Sequence, residues 1–317
     1  MKKISVVVPC YNEENSIESL YQTMRQIFEN QLHGYDYELI LADDYSTDHT
    51  REIIRKLCKM DMHVKAVFNM ANFGFSRNVF SALQEATGDA AFLVFGDLQD
   101  PPELLPEFIA KWESGCKVVI GQKMASDEDK IMSLMRRGYY RIIRSLSEKP
   151  QIEEFNGYGL YDRKFLNILR DIQDVQPYLK TVVSEYAPDH GVILYHHHKS
   201  GRGKSNFNFY RNYDFAMEGI TSSTKKLLRI ATFLGAGLGF FSVVYAIYVF
   251  VKKLLFWNTY PLGQASIMIG VYLIGAIQLF FIGVLGEYML SVNIRTMKKP
   301  RVVVDEKINF QVSEDIK

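Results

Sequence analysis

Ile4-Ser5-Val6-Val7-Val8-Pro9-Cys10-Tyr11-Asn12-Glu13-Glu14 decides the fold. Apart from Ser5, residues 4–8 are apolar and β-branched, the composition of a strand covered on both faces. The run stops at Pro9, and the polar residues Tyr11-Asn12-Glu13 follow at once. The same grammar recurs along the chain. Residues 38–42, 64–68, 90–95 and 117–120 read as further buried strands, and residues 14–30, 48–59, 75–86 and 102–113 between them have helical spacing. Apolar strands alternating with helices predict an α/β, Rossmann-like fold, a mainly parallel sheet with helices on both faces. Ligands on such sheets gather beyond the carboxyl ends of the strands. The polar clusters fall there: Tyr11-Asn12-Glu13 after the first strand, Asp43-Asp44 after the second, and Asp97-Leu98-Gln99-Asp100 after the fourth.

The totals exclude several classes. Among 317 residues, 37 Lys and Arg face 36 Asp and Glu, a formal net charge of +1. No global field draws such a chain to nucleic acid, and no nucleic-acid partner is expected. The three cysteines, Cys10, Cys58 and Cys116, are odd in number and form no CxxC pair. They argue against a disulfide framework and for a reducing compartment. The apolar run before Pro9 is too short for a signal-peptide core, so the N-terminal part is expected to stay unexported. There is no internal repeat and no low-complexity segment.

Composition changes near Leu227. Residues 230–251 carry no charge, and a second uncharged stretch, 254–286, is broken by Tyr260-Pro261-Leu262-Gly263. A bilayer-crossing helix needs about 20 apolar residues, so both stretches read as spans, at about 230–251 and 264–288. Trp257 and Tyr260 suit an interfacial belt. Lys225, Lys226 and Arg229 precede the first span, and Arg295, Lys298, Lys299 and Arg301 follow the second. By the positive-inside rule the expectation is an integral, multi-pass membrane protein with its catalytic domain and both termini cytoplasmic. The expected organisation is a catalytic domain over 1–208, an amphipathic juxtamembrane segment over 209–226, two transmembrane helices within 227–290 and a cytoplasmic tail over 291–317. On pattern alone, 209–224 suits a helix at the membrane surface or an ordinary surface helix.

Three segments carry candidate chemistry. Asp97, Gln99 and Asp100 offer hard oxygen ligands of the kind Mg²⁺ or Mn²⁺ takes together with substrate phosphates. Asp100 before Pro101-Pro102 also reads as a helix cap. Asp43-Asp44-Tyr45-Ser46-Thr47-Asp48 reads either as a turn with Asp48 as cap or as acceptors for a base N–H or ribose hydroxyls. Residues 199–207, Lys-Ser-Gly-Arg-Gly-Lys-Ser-Asn-Phe, are basic and glycine-rich, suited to phosphate or to anionic headgroups. His196-His197-His198 precede them, but three adjacent residues of a strand cannot all face one site.

The order of these pieces resembles the family 2 glycosyltransferases with a GT-A fold, and within them the dolichol-phosphate mannose synthase and bactoprenol glucosyltransferase branch. The matching pieces are Val8-Pro9-Cys10-Tyr11-Asn12-Glu13-Glu14, Asp43-Asp44-Tyr45-Ser46-Thr47-Asp48, Asn72-Phe73-Gly74, Asp97-Leu98-Gln99-Asp100-Pro101-Pro102-Glu103 and Gly203-Lys204-Ser205-Asn206-Phe207, with the double apolar stretch ending in Gly283-Val284-Leu285-Gly286-Glu287-Tyr288. The resemblance implies that Pro9, Tyr11, Glu13 and Asp43, with Asp44 beside them, bind the nucleoside. It implies that Asp97 and Gln99 hold the divalent metal and that Lys123 lies near the donor phosphates. Asp97, Arg202 and Lys204 are then the catalytic residues, the two cations meeting donor or acceptor phosphate. The chain departs from the family at Phe95, where an aspartate is common. It departs again at Asn156-Gly157-Tyr158-Gly159-Leu160-Tyr161, where relatives carry Asp-Phe-Arg, and at Ser200, where an arginine is usual. These changes bear on the sugar and acceptor pocket.

The expected reaction is therefore inverting transfer of a sugar from a nucleotide-sugar donor to a polyprenyl (undecaprenyl- or dolichyl-type) phosphate at the cytoplasmic membrane face, with a homo-oligomer left open. A lipid phosphate is already anionic, so no general base is required. One alternative is a transferase acting on a sugar hydroxyl, which needs a base. Another is a non-catalytic membrane protein that binds a sugar nucleotide.

Overall fold

The apolar run at the N-terminus forms strand β1, Lys2–Cys10, and Val6, Val7 and Val8 are all fully buried. Successive side chains of a strand point to opposite faces, so three consecutive buried residues mean that both faces are covered. The computed structural model describes residues 1–124, 152, 154–175, 177–196, 264–296 and 299–310, with single positions at 237, 240, 241, 244, 248, 251 and 255. The chain divides into two compact units. One comprises residues 1–140, 149–208 and 297–317, and the other residues 141–148 and 209–296.

In the first unit, β1 is followed by α1 (Ile17–Asn30), β2 (Tyr35–Asp43), α2 (Thr50–Met60), β3 (Val64–Asn69), α3 (Phe75–Glu85), β4 (Ala90–Leu93), α4 (Leu105–Glu113) and β5 (Val118–Lys123). The five strands and four helices expected from periodicity are all present. Three further strands complete the sheet: β6 (Gly159–Asp162), β7 (Gly191–Tyr195) and β8 (Val304–Ile308). Helices α5 (Arg163–Asp171) and α6 (Leu179–Tyr186) lie between β6 and β7. The order across the sheet is β7-β5-β6-β4-β1-β2-β3-β8. β1 runs parallel to β2 and β4, β2 to β3, and β5 to β7. β6 is antiparallel to both β4 and β5, and β8 to β3. The sheet is therefore mixed.

The second unit contains α7, Gln264–Thr296. Among the described residues no helix is long and apolar enough to cross a membrane. This overturns the expectation of an integral, multi-pass protein with its catalytic domain and both termini cytoplasmic. An uncharged stretch of sequence is only a necessary condition. A span needs length and apolarity together in one helix, and no described helix meets both. The stretch 209–226, expected to be amphipathic, lies outside the described residues.

One buried charge ties the opposite end of the sheet. Glu38 on β2 is 1% exposed. Its carboxylate accepts Ser5 Oγ at 2.5 Å and Thr87 N–H at 2.7 Å, and the ammonium groups of Lys3 at 2.9 Å and Lys65 at 2.6 Å. Burial alone raises a carboxyl, but here the bonds from Lys65, Ser5, Thr87 and Lys3 outweigh it and hold Glu38 down at about 2. A carboxylate depressed from its ordinary range contributes stability that is present above the unfolded value and lost as pH falls through the folded one. Glu38→Gln should lower unfolding free energy at pH 7 on the order of 3 kcal/mol. The gap to wild type should narrow as pH falls from 5 towards 2 in urea titrations followed by circular dichroism. An equal gap at both ends of that range would refute this role.

Candidate active site

β1 pairs with β2 on one side and β4 on the other, so the chain leaves it in opposite directions. That is the switch point at which α/β sheets open a crevice beyond the strand ends. Each of the three strands is followed by a residue in the left-handed region: Asn12 (φ 56°), Tyr45 (φ 64°) and Leu98 (φ 56°). Asn tolerates this conformation, but in Tyr and Leu it costs on the order of 1–2 kcal/mol. Hydrogen bonds hold the turns. Asn12 N–H donates to Ser46 Oγ at 2.9 Å, and Asn12 Oδ1 accepts Thr47 N–H at 2.8 Å. Glu13 N–H donates to Thr50 Oγ1 at 2.7 Å. Asp48, expected as the cap of α2, precedes the cap residue His49 and instead accepts Thr50 N–H at 3.0 Å and Glu14 N–H at 3.2 Å. The loops after β1 and β2 are thus stitched into one wall.

Asp43 and Asp44 close β2 and play different parts. Asp44 is 3% exposed and its oxygens accept Phe73 N–H at 3.0 Å, Gly74 N–H at 2.8 Å and Asn69 Nδ2 at 2.9 Å. It fixes the Asn72-Phe73-Gly74 loop, where Gly74 has φ 90°, a conformation that favours glycine. Asp43 is fully buried. Its Oδ2 accepts Ser46 N–H at 3.1 Å, while Oδ1 has no hydrogen-bond partner among the described residues. Arg51 Nε lies 3.3 Å from Oδ2 without the alignment of a hydrogen bond. Burial raises both carboxyls. The bonds from Ser46 and the charge of Arg51 offset this at Asp43, and those from Phe73, Asn69 and Gly74 at Asp44. Arg51 also lies over the rings of Tyr45 and Phe68, 5.7 and 4.9 Å from their centroids. Tyr11 and Tyr45, 40% and 46% exposed, are the open aromatic surfaces of this wall. Pro9 is buried in β1 opposite Ala42. Glu13, 7% exposed, accepts Ser16 Oγ at 2.9 Å, and its Cγ would lie 3.1 Å from a Cβ at Gly96, so it bridges the first and third loops.

The third loop holds the metal candidates. Asp97 and Gln99 are partly exposed, and Asp97 Oδ1 accepts Gln99 N–H at 3.1 Å. Asp100 is 1% exposed. It does not cap the helical turn at Pro102–Leu104. Its oxygens take Asn156 Nδ2 at 2.7 Å and the Tyr195 hydroxyl instead. Tyr158, whose hydroxyl donates to Pro101 O at 2.6 Å, braces the same loop. Asp97 and Gln99 therefore offer one carboxylate and one amide oxygen at the crevice. Among the described residues no group of three His, Cys, Asp or Glu could hold an ion. That donor set fits Mg²⁺ or Mn²⁺ shared with substrate phosphates rather than a cage built by protein alone. Phe95, 9% exposed, packs on Phe75 with ring centroids 5.3 Å apart.

Pro9, Tyr11, Glu13, Asp43, Asp44, Asp97 and Gln99 thus gather at one end of the sheet. Lys123 ends β5 at the same end. Arg202 and Lys204, with the whole basic segment 199–207, lie outside the described residues. Sequence reasoning missed Arg51, which reads as one more surface charge on a helix, and the lock of Tyr195 and Asn156 on Asp100. Tyr195 and Asn156 meet a buried partner 95 and 56 residues away in the chain, and Arg51 meets the buried Asp43 from the next helix, so neither contact shows in the local pattern.

The comparisons with known proteins agree with this geometry. The family model described as Glycosyl transferase family 2 matches residues 5–168. A prophage bactoprenol glucosyl transferase homolog of Escherichia coli (strain K12) is 31% identical over 304 residues, covering 95% of this chain and 98% of that protein. The putative glycosyltransferase CsbB of Bacillus subtilis (strain 168) is 28% identical over 303 residues, 96% of this chain and 91% of that one. Among solved structures, glucosyl-3-phosphoglycerate synthase from Mycobacterium tuberculosis, in complex with Mn²⁺, UDP-glucose and phosphoglyceric acid, has a TM-score of 0.51 at 18% identity. It covers 69% of this chain and 78% of that one, a likeness of fold. The matched model spans half of the sequence and the Escherichia coli relative almost all of it, and the chain belongs to glycosyl transferase family 2.

Proposed function

We propose that the protein transfers a sugar from a nucleoside-diphosphate donor to a polyprenyl phosphate in one in-line displacement that inverts the anomeric carbon. The observation that carries the donor half is Asp43 Oδ1, a buried acceptor at the carboxyl end of β2 without a partner among the described residues. Leaving such an oxygen unsatisfied costs about 1–3 kcal/mol, which a base N–H of the donor recovers. Pro9, Tyr11 and Glu13 complete the nucleoside wall with Asp43, while Asp44 holds the loop behind it. Asp97 and Gln99 hold Mg²⁺ or Mn²⁺, and when bound the ion neutralises the diphosphate leaving group. Lys123, Arg202 and Lys204 supply further positive charge to phosphate.

The acceptor half is supported by the relatives. Proteins 31% identical over 95% of this chain are named bactoprenol glucosyl transferases, and bactoprenol is a polyprenol. A phosphate monoester attacks as an anion, so the site has only to position it and stabilise charge. Phe95, packed on Phe75 and beside Gly157, puts no carboxylate at its own position, which suits a reaction that requires no base there.

Asp43→Ala should weaken nucleoside-diphosphate binding in the presence of Mn²⁺ by roughly ten- to a hundredfold in calorimetry, and Asp97→Ala should remove the dependence of turnover on divalent metal. Unchanged nucleotide affinity in the Asp43 variant would place the nucleoside elsewhere. With labelled donor, product should form only when a polyprenyl monophosphate is supplied, and mild acid should release the sugar from the lipid. An acid-stable product, or one formed without lipid phosphate, would assign a hydroxyl acceptor instead.

A further inference from the structure

The loop that offers Asp97 and Gln99 ends in Asp100-Pro101, and a buried tyrosine hydroxyl takes hold of each of these two residues. The Tyr195 hydroxyl donates to Asp100 Oδ1, and the Tyr158 hydroxyl donates to Pro101 O at 2.6 Å. Asn156 joins the two grips. Its Nδ2 donates to Asp100 Oδ2 at 2.7 Å, and its Oδ1 accepts Tyr158 N–H at 3.0 Å. The phenols come from different parts of the chain, Tyr195 from the last position of β7 and Tyr158 from the residue before β6.

Both rings are themselves fixed. Tyr195 is nearly and Tyr158 fully buried, and they meet edge to face with centroids 5.0 Å apart. Tyr195 pairs with Lys123 across β5 and β7, and its carbonyl accepts Met124 N–H at 2.9 Å. Tyr158 O accepts Gly121 N–H at 2.8 Å. Gly121 leaves the space for both rings: a Cβ there would lie 2.2 Å from Tyr158 Cδ1 and 3.1 Å from Tyr195 Cε1.

Packing alone does not call for the hydroxyls. Phe92 and Phe108 fill the same cluster, with centroids 5.4 and 5.0 Å from that of Tyr158, and carry none. A buried hydroxyl costs free energy unless it is hydrogen-bonded, so tyrosine at these positions is explained by what its oxygen reaches. In both cases that is the loop of Asp97. The loop turns through left-handed Leu98, which costs free energy, and Leu98 N–H reaches Phe95 O only at 3.4 Å, long for such a bond. A metal site with one carboxylate and one amide oxygen from the protein depends on how well those two donors are placed beforehand.

We propose that Tyr195, acting through Asp100, is a positioning residue for the divalent-metal site, with Tyr158 as its second brace. The place of the ion at Asp97 and Gln99 rests on the transferase reading above. The grip of the two phenols on the loop does not.

Mn²⁺ titrated onto the full-length protein tests this, with the free ion counted by its electron paramagnetic resonance signal. Tyr195→Phe keeps the ring and removes one hydrogen bond. It should weaken Mn²⁺ binding roughly fivefold or more, and Tyr158→Phe should act in the same direction. Titrations are made well below the melting transition of each variant, followed by circular dichroism. A tyrosine kept only for the fold would lower that transition and leave the Mn²⁺ affinity of the folded protein unchanged, and this result for Tyr195→Phe overturns the proposal. If one variant fails to fold, the other decides alone. Asp97→Ala is the reference. Loss of Mn²⁺ there, with wild-type affinity in both tyrosine variants, keeps the metal site and ends the positioning role. Wild-type affinity in Asp97→Ala, or no uptake of Mn²⁺ by the wild-type protein, ends both.

Discussion

The parallel pairing of β1 with β2 and β4 is the constraint on which the rest of the site depends. It brings three chain segments to the same level and obliges each to turn away at once. The turns run through left-handed Asn12, Tyr45 and Leu98, conformations that L side chains avoid. They persist because polar side chains pin the backbone. Asn12 and Ser46 join the first two loops, Asp44 holds the loop before α3, and Asp97 closes its own turn onto Gln99. Strain of this kind fixes the direction of Tyr11, Tyr45 and Asp97 before any ligand arrives, and positioning before binding is what catalysis by proximity requires.

Behind the wall lies a second layer of charge. Asp43 is buried beside Arg51, which in turn reaches Asp305 on β8 at 3.5 Å, while Arg55 pairs with Glu306 at 2.7 Å. The C-terminal strand therefore does more than cover the β3 edge. It holds the arginine that offsets the burial of Asp43. Arg301, just before β8, extends the tie. Its guanidinium donates to Ile172 O at 2.7 Å and Asp174 O at 3.0 Å, and to Gln84 Oε1 at 2.8 Å, and it lies 4.5 Å above the Phe80 ring. Residues nearly the whole chain apart thus support one carboxylate.

Much of this was legible in order along the chain. The strands β1 to β5 announce themselves because both faces are buried and their apolar runs are continuous. The added strands do not. β6 is four residues, Gly-Leu-Tyr-Asp, and β8, Val-Asp-Glu-Lys-Ile, is an edge strand whose outward charges hide its register. Their conformation comes from neighbours that only the fold supplies. The acidic candidates were visible because the rule for strand ends needs no tertiary knowledge, whereas Asp100 reads as a helix cap until Tyr195 and Asn156 are seen to occupy it. The uncharged stretches read as membrane spans on composition alone, and among the described residues no helix bears that out.

The central claim is that the three loops beyond β1, β2 and β4 form the seat of a nucleotide donor, with Asp43 Oδ1 waiting for its base. A crystal structure of the protein with a nucleoside diphosphate and Mn²⁺ tests it most directly. The account predicts a base N–H within about 3 Å of Asp43 Oδ1, and the diphosphate, with the ion, beside Asp97. A nucleotide bound elsewhere on the sheet, or one seated here with Asp43 Oδ1 still unpartnered, would contradict it.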